Sequence, residues 1–183
     1  RAITGREDRR ALAGAAADVP PGSNGTTFFP HLRLAGPPHL DPRSRGAFLG
    51  LTTDADQAAM VRAVYEGLAY EARASIEPLV RYAGSETLPE ITVIGGSSRN
   101  ELLLKIKASV MNRPHHIMHI HEATAHGAAL LGGLAAGIYR GAADVKATVE
   151  LQSSTIEPDP DAAAFYESFF QNVYLRIYDA LKP

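Results

Sequence analysis

The sequence predicts a layered α/β fold, and three observations carry that reading. Short apolar runs alternate with amphipathic helical segments through the second half of the chain, the order that lays helices against a sheet. One junction, Ile91 to Asn100, passes from an apolar strand through Gly95-Gly96 into a helical segment. The composition, 45% hydrophobic and 21% charged over 183 residues, suits a globular chain with its own core.

The elements follow in order. Residues 1–19 mix charge with alanine and read as a short helix or the tail of a longer one, so residues 1–25 form a leading helix and linker and 26–183 the domain proper. Residues 20–46 are thick with Pro, Gly, Asn and Ser, which punctuate turns. A surface loop laid down by its prolines is expected there, with Thr27 to Phe29 as a strand. Gly46 to Leu51 reads as a brief buried strand. Asp54, three residues before Gln57, predicts a helix start. Met60, Val64, Leu68, Ala72 and Ile76 then recur every fourth residue as an apolar stripe. Gly67 inside that helix costs about 1 kcal/mol relative to alanine; a close backbone approach or plain packing tolerance accounts for it. Pro78 is expected to end or bend the helix.

Ile91 to Ile94 reads as a strand, and Ser98-Arg99-Asn100-Glu101 has the S-x-x-E form of a capping box. Leu103, Ile106 and Val110 supply the buried face of the helix that follows. Residues 113–120 read as a strand, 122–137 as a helix of unusually small residues, and 164–181 as a final amphipathic helix.

Composition also excludes function classes. A net charge of -2 disfavours nucleic acid and anionic membrane as partners. No apolar run approaches the roughly 18 residues of a membrane span. With zero cysteines, disulfides and thiolate metal sites are out of reach. A cytoplasmic location is the expectation.

Four constellations could carry chemistry. The strand–Gly95-Gly96–helix junction exposes backbone N–H groups and the positive end of a helix at a sheet edge, where an anion or nucleotide can sit. Glycines without Cβ atoms would let a planar ring lie on the main chain, and Asn100 in the first turn offers a donor and an acceptor. A plain turn that needs glycine for positive φ fits the same residues. Gly127, Ala128, Ala129, Gly132 and Gly133 keep one helix bare, for a ligand or for close packing. Five of the seven histidines lie between His115 and His126, and His119 and His121 would share one face of a strand. A solvated polar edge is expected there rather than a metal site, Glu122 being the only nearby carboxylate. Asp41, Arg43 and Arg45 stand in a proline-braced loop, where pairing could lock the loop or an arginine could face a substrate. No nucleophile elbow and no H-E-x-x-H motif occurs, and no catalytic residue is assigned.

Three stretches, in register, resemble the C-terminal domain of the FGGY carbohydrate kinases, the family of xylulokinase, gluconokinase and glycerol kinase. The first runs from Phe28 to Leu79, within which Gly46, Phe48, Gly50, Leu51, Met60, Ala63, Val64, Tyr65 and Glu66 fit the family's second signature. Ala59 departs from it, a polar residue being usual. The second is Ile91 to Asn100, similar to the family's adenine-contacting strand and turn. The third is residues 122–137, with His126 where the family has leucine.

The resemblance implies an incomplete ribonuclease-H-like, actin-like domain, with a mixed sheet flanked by helices. It implies transfer of the γ-phosphoryl of ATP, with Mg2+, to a hydroxyl of a sugar or polyol. Gly95, Gly96 and Ser97 would lie against the nucleotide, and Asn100 would hydrogen-bond it. The family's aspartate base and its Gly-Thr-Ser-like phosphate turn lie in segments upstream of the likeness. A separate N-terminal, sugar-binding domain is therefore the implied partner, and the isolated chain is expected to be inactive. Pro38-His39 before Asp41-Pro42 inclines the acceptor towards a pentulose such as xylulose, and a homodimer is compatible with the reading. The competing reading keeps the fold as a non-catalytic nucleotide-binding or sensor domain.

Overall fold

Helix α2, Gln57–Tyr82, is the element against which most others are laid. The computed structural model describes residues 9–120, 122–148 and 152–182. α2 begins not at Asp54 but at Asp56, whose extended backbone lets Oδ1 accept from the Ala59 N–H at 2.8 Å. Asp54 sits in the preceding turn, its own N–H donating to Thr52 Oγ1 at 3.2 Å. Pro78 does not end the helix, which continues to Tyr82. The glycine expectation resolves to a close approach: a Cβ at Gly67 would collide with the Phe28 carbonyl of strand β1, Thr27–Phe29.

The expected apolar stripe of α2 is not its buried face. Leu68 is 41% exposed, and Met60, Val64, Ala72 and Ile76 are half-buried. Arg62, Glu66, Tyr70 and Arg73 face inward instead, with Ala63, Gly67 and Ala69 between them. Charged side chains can occupy that face because they satisfy one another. The Arg62 Nε–H donates to Glu66 Oε1 at 2.9 Å, and Arg62 Nη2 donates to the Tyr166 hydroxyl at 3.1 Å. That hydroxyl donates in turn to Glu66 Oε1 at 2.8 Å, and burial, then the Glu66 charge, pushes the phenol's pKa up so that it stays a donor. Glu66 also accepts from Ser23 Oγ at 2.9 Å and from the Gly22 N–H at 3.1 Å. Arg62 Nη1 reaches the Ala16 carbonyl at 3.3 Å, in helix α1, Arg9–Ala17. One carboxylate thus ties together α1, the 20–26 turn, α2 and helix α6, Pro160–Phe169.

The proline-rich segment is laid down as expected, though with polar groups beneath it. His31 bonds Ser44 Oγ at 2.7 Å and Glu71 at 3.2 Å, and Asp41 accepts from the Tyr178 hydroxyl at 3.1 Å. β1 pairs antiparallel with β2, Ala47–Leu49, with Phe28 opposite Phe48. β2 is half-buried rather than buried.

The second layer is a mixed sheet. β3, Ile91–Val93, pairs in parallel with β4, His115–Met118, with Ile91 opposite His115. β4 pairs antiparallel with β5, Ser153–Ile156. Between β3 and β4 runs α3, Glu101–Met111, which buries Leu104, Ile106 and Val110 against α2 and α6. Leu103 is only half-buried, so the inward face is turned by one residue from the expected one. The small-residue helix is α4, Ala123–Ala135, and α5 follows at Ala142–Thr148. The C-terminal helical run starts at Pro160, where Asp159 Oδ1 accepts from the N–H groups of Asp161 and Ala162 at 3.0 Å. It passes through a π turn at Phe170–Tyr174 into α7, Leu175–Leu181. The core gathers Tyr70, Val110, Tyr166, Phe170 and Tyr174, and the Arg73 guanidinium lies 4.2 Å over the Phe170 ring. Among the described residues, no helix is long and apolar enough to cross a membrane.

Replacing Arg62 by methionine strands Glu66 and Tyr166 without their cation. A loss of about 3–5 kcal/mol in urea unfolding is expected; a change within error would show the cluster to be dispensable. His115 is 1% exposed, its Nδ1–H donates to the Arg113 carbonyl at 3.0 Å, and burial lowers its pKa from 6.5, with Lys107 and His116 acting in the same direction. The unfolded chain then binds a proton that the folded one resists, so stability is full above pH 6.5 and falls as pH drops towards the lowered value. His115→Gln is expected to flatten that part of the stability–pH curve measured by denaturant titration.

Candidate functional site

The junction after β3 is built by glycine and closed by serine. Gly95 has φ of +84°, a conformation that a side chain would strain. Its carbonyl accepts twice from Ser98, from Oγ at 2.6 Å and from the N–H at 3.1 Å. This tightens Gly96–Arg99 into a single 3-10 turn, to which Ser97 belongs. With its hydroxyl committed to Gly95, Ser98 does not cap α3, and the expected S-x-x-E box does not form. Asn100 takes that role: its backbone is extended and its Oδ1 accepts from the Leu103 N–H at 3.1 Å. The amide is therefore one-sided. Its oxygen belongs to the helix, while Nδ2 has no partner among the described residues.

The turn opens onto space. A Cβ placed on Gly95 or on Gly96 would meet nothing within 4 Å. Gly96, Arg99 and Asn100 form one side of a cleft of about 830 Å³. Across it stand Ala13, Gly14 and Ala17 of α1, a helix face almost free of side chains, and Tyr65 of α2. Lys105 and Glu101 also line it, joined by an ion pair of 2.7 Å that lowers the pKa of the Glu101 carboxyl. The cleft is thus rich in hydrogen-bond donors and poor in free acceptors. The Asn100 Nδ2 group, the Arg99 guanidinium and the Tyr65 hydroxyl carry no partner among the described residues, whereas the one carboxylate is occupied. Two bare walls with donors at the edge suit a flat ligand that carries many acceptors.

The sequence reading placed Gly95, Gly96, Ser97 and Asn100 at this junction; of the four, Gly96 and Asn100 line the cleft, while Gly95 precedes the 3-10 turn and Ser97 lies within it. It missed the opposite wall. Ala13, Gly14 and Ala17 carry no polar signal, and Tyr65 and Arg99 gain meaning only from what they face.

The other constellations fall elsewhere. Asp41 and Arg45 brace their own loop: Asp41 Oδ1 accepts from the Arg43 N–H at 2.9 Å, and Arg45 Nη1 donates to the carbonyls of Pro42 and Ser44 at 2.9 Å. His116 and His119 bond the hydroxyls of Thr155 and Ser154 at 3.0 Å on β5, and His121 lies outside the described residues. Among the described residues no three His, Cys, Asp or Glu side chains group as metal ligands. α4 packs little: only its Gly133 is buried, beneath the Tyr139 ring.

A sequence model of the FGGY family of carbohydrate kinases, C-terminal domain, matches residues 2–136. The chain belongs to the FGGY family of carbohydrate kinases. It is 39% identical over 134 residues to a glycerol kinase of Ralstonia pickettii (strain 12J), covering 73% of this chain and 26% of that protein. Its fold is similar to a xylulose kinase from Lactobacillus acidophilus, with a TM-score of 0.82 and 25% identity over 96% of this chain and 35% of the other. A gluconate kinase from the same organism matches in fold with the same TM-score at 24% identity, over 98% of this chain and 36% of its own. The actin-like α/β class expected of this FGGY chain is thereby established. The chain spans about a quarter of the curated relative's length.

Because the Asn100 carbonyl caps α3, Asn100→Ala is expected to lower stability by about 1 kcal/mol, and Asn100→Asp to leave it nearly unchanged. Thermal melting of the two variants checks this, and equal losses would show that the side chain is not the cap.

Proposed function

We propose that this chain is the ATP-holding part of a kinase that transfers the γ-phosphoryl of Mg-ATP to a hydroxyl of a sugar or polyol. The observation that carries the reading is the open, donor-rich cleft at the bare Gly95-Gly96 turn. An adenine ring would lie on the main chain of Gly95, Gly96 and Ser97, where no Cβ of either glycine intervenes. The Nδ2 group of Asn100 would donate to an acceptor of the nucleoside. Phosphoryl transfer asks a protein chiefly for positioning and charge stabilisation, and this chain's residues would do the first. Glu101 is held by Lys105, so this wall offers no free carboxylate to the Mg2+ that accompanies ATP.

Catalysis by this chain alone is not part of the proposal: among the described residues that line the cleft the one carboxylate, Glu101, is paired with Lys105. The base, the phosphate turn and the acceptor site would come from a partner domain. For the acceptor we favour a pentulose or polyol: relatives 39% and 38% identical are glycerol kinases, and a solved structure 32% identical is a xyloylose kinase from Brucella ovis.

A 15N chemical-shift titration of the chain with ADP tests the core of this reading. Shifts centred on residues 95–100 are expected, and their loss in Gly96→Val, where the added side chain enters open cleft rather than protein. Shifts confined to another face would overturn the site. In a coupled assay, the chain by itself is expected to phosphorylate neither xylulose nor glycerol; turnover would show that a base has been overlooked.

A further inference from the structure

We propose that Arg99 makes the cleft prefer a phosphorylated nucleoside to the bare nucleoside, by pairing its guanidinium with a phosphate oxygen. This inference rests on the nucleotide reading of the cleft and assigns one residue a separate task within it.

The argument begins from the charges that line the cavity. Two cations, Arg99 and Lys105, and one carboxylate, Glu101, face it among the described residues. Lys105 Nζ lies 2.7 Å from Glu101 Oε1, one turn along α3, so those two neutralise each other. Arg99 has no ion pair and no hydrogen bond among the described residues, and it is exposed. The cleft therefore carries one uncommitted positive charge, at the end of the 3-10 turn that begins at Gly96. A neutral nucleoside gives that charge nothing to pair with. A phosphate does, and a guanidinium meets phosphate oxygens with two parallel N–H donors.

Position supports the same assignment. Arg99 directly precedes Asn100, whose side chain is fixed by the Leu103 N–H, so the backbone from which Arg99 extends is held while its long side chain is not. A held backbone beneath an exposed, unpaired guanidinium leaves that head open to a phosphate. The bare Gly96 main chain and the one-sided Asn100 amide have no charge with which to tell adenosine from ADP. Arg99 is the cleft residue that does.

The test compares adenosine with ADP by NMR titration of the 183-residue chain, as wild type, Arg99→Ala and Arg99→Lys. Arg99→Ala is expected to weaken ADP binding by about five- to tenfold while leaving adenosine unchanged. Arg99→Lys should recover part of the difference, and added salt should weaken ADP binding in the wild type more than in Arg99→Ala. Equal weakening of both ligands would mean that the guanidinium covers the base, and no change would mean that it touches neither; each overturns the proposal while sparing the nucleotide site. A wild-type chain that binds neither ligand would overturn the nucleotide reading itself, and this proposal with it.

Discussion

The constraint on which the rest of the molecule depends is the saturation of one buried carboxylate. Glu66 is 3% exposed and accepts from the Gly22 N–H, Ser23 Oγ, Arg62 Nε and the Tyr166 hydroxyl. A carboxylate has about four acceptor sites, so nothing is left over; Arg62 is already on α2, and the other three donors come from the 20–26 turn and α6, which must be brought to it. Arg62 adds a tie to the last turn of α1 through the Ala16 carbonyl. Losing Arg62 would leave the buried charge of Glu66 uncompensated, and losing a neutral donor would leave one of its acceptor sites unfilled. In this way the cluster helps set where α1 lies, and α1 lines the same cleft as Gly96, Arg99 and Asn100.

The cleft is therefore assembled from two independent devices. One wall is local: Gly95 supplies the positive φ, Ser98 closes the turn and Asn100 starts α3, all within six residues. The other wall is remote in sequence and held by the buried polar network. This division leaves the ligand-facing surfaces free of structural duties, with one exception. Asn100 serves the helix with its oxygen and can serve a ligand only with its nitrogen, which restricts what it can recognise to acceptors.

Polar satisfaction rather than apolar patterning also governs the loop before β2. His31, Asp41 and Arg45 each bond a neighbour on the loop, α2 or α7, and the His39 ring stacks on Tyr178 with centroids 3.7 Å apart. α4 shows the converse. It carries no Asp, Glu, Lys or Arg, yet Leu131 is 68% exposed and only Gly133 is buried. Of its bare residues, Gly133 alone marks a close contact within the described part of this chain, under the Tyr139 ring.

The sequence by itself determined most of the strands and helices and the Gly95-Gly96 turn with Ser97 and Asn100 beside it, and it marked Gly67 as a position where either a close approach or packing tolerance would do. These are local matters: a positive φ, a short side chain and a run of apolar residues act on their immediate neighbours. Family likeness, legible in three short motifs, extended that reading to a fold and to a nucleotide. What only the tertiary structure decided was partnership. α2 turned its charged face inward because Arg62, Glu66 and Tyr166, up to 104 residues apart, satisfy one another, and hydrophobic periodicity has no means of registering such a pairing. β5 was invisible because Ser153, Ser154 and Thr155 enter a sheet through backbone bonds to β4 rather than through apolar side chains. The choice of Asn100 over Ser98 as the cap turned on which hydroxyl the Gly95 carbonyl would claim. The second wall of the cleft came from alanines and a glycine, residues whose only contribution is the space they leave, and space has no signature until the opposite side is in place.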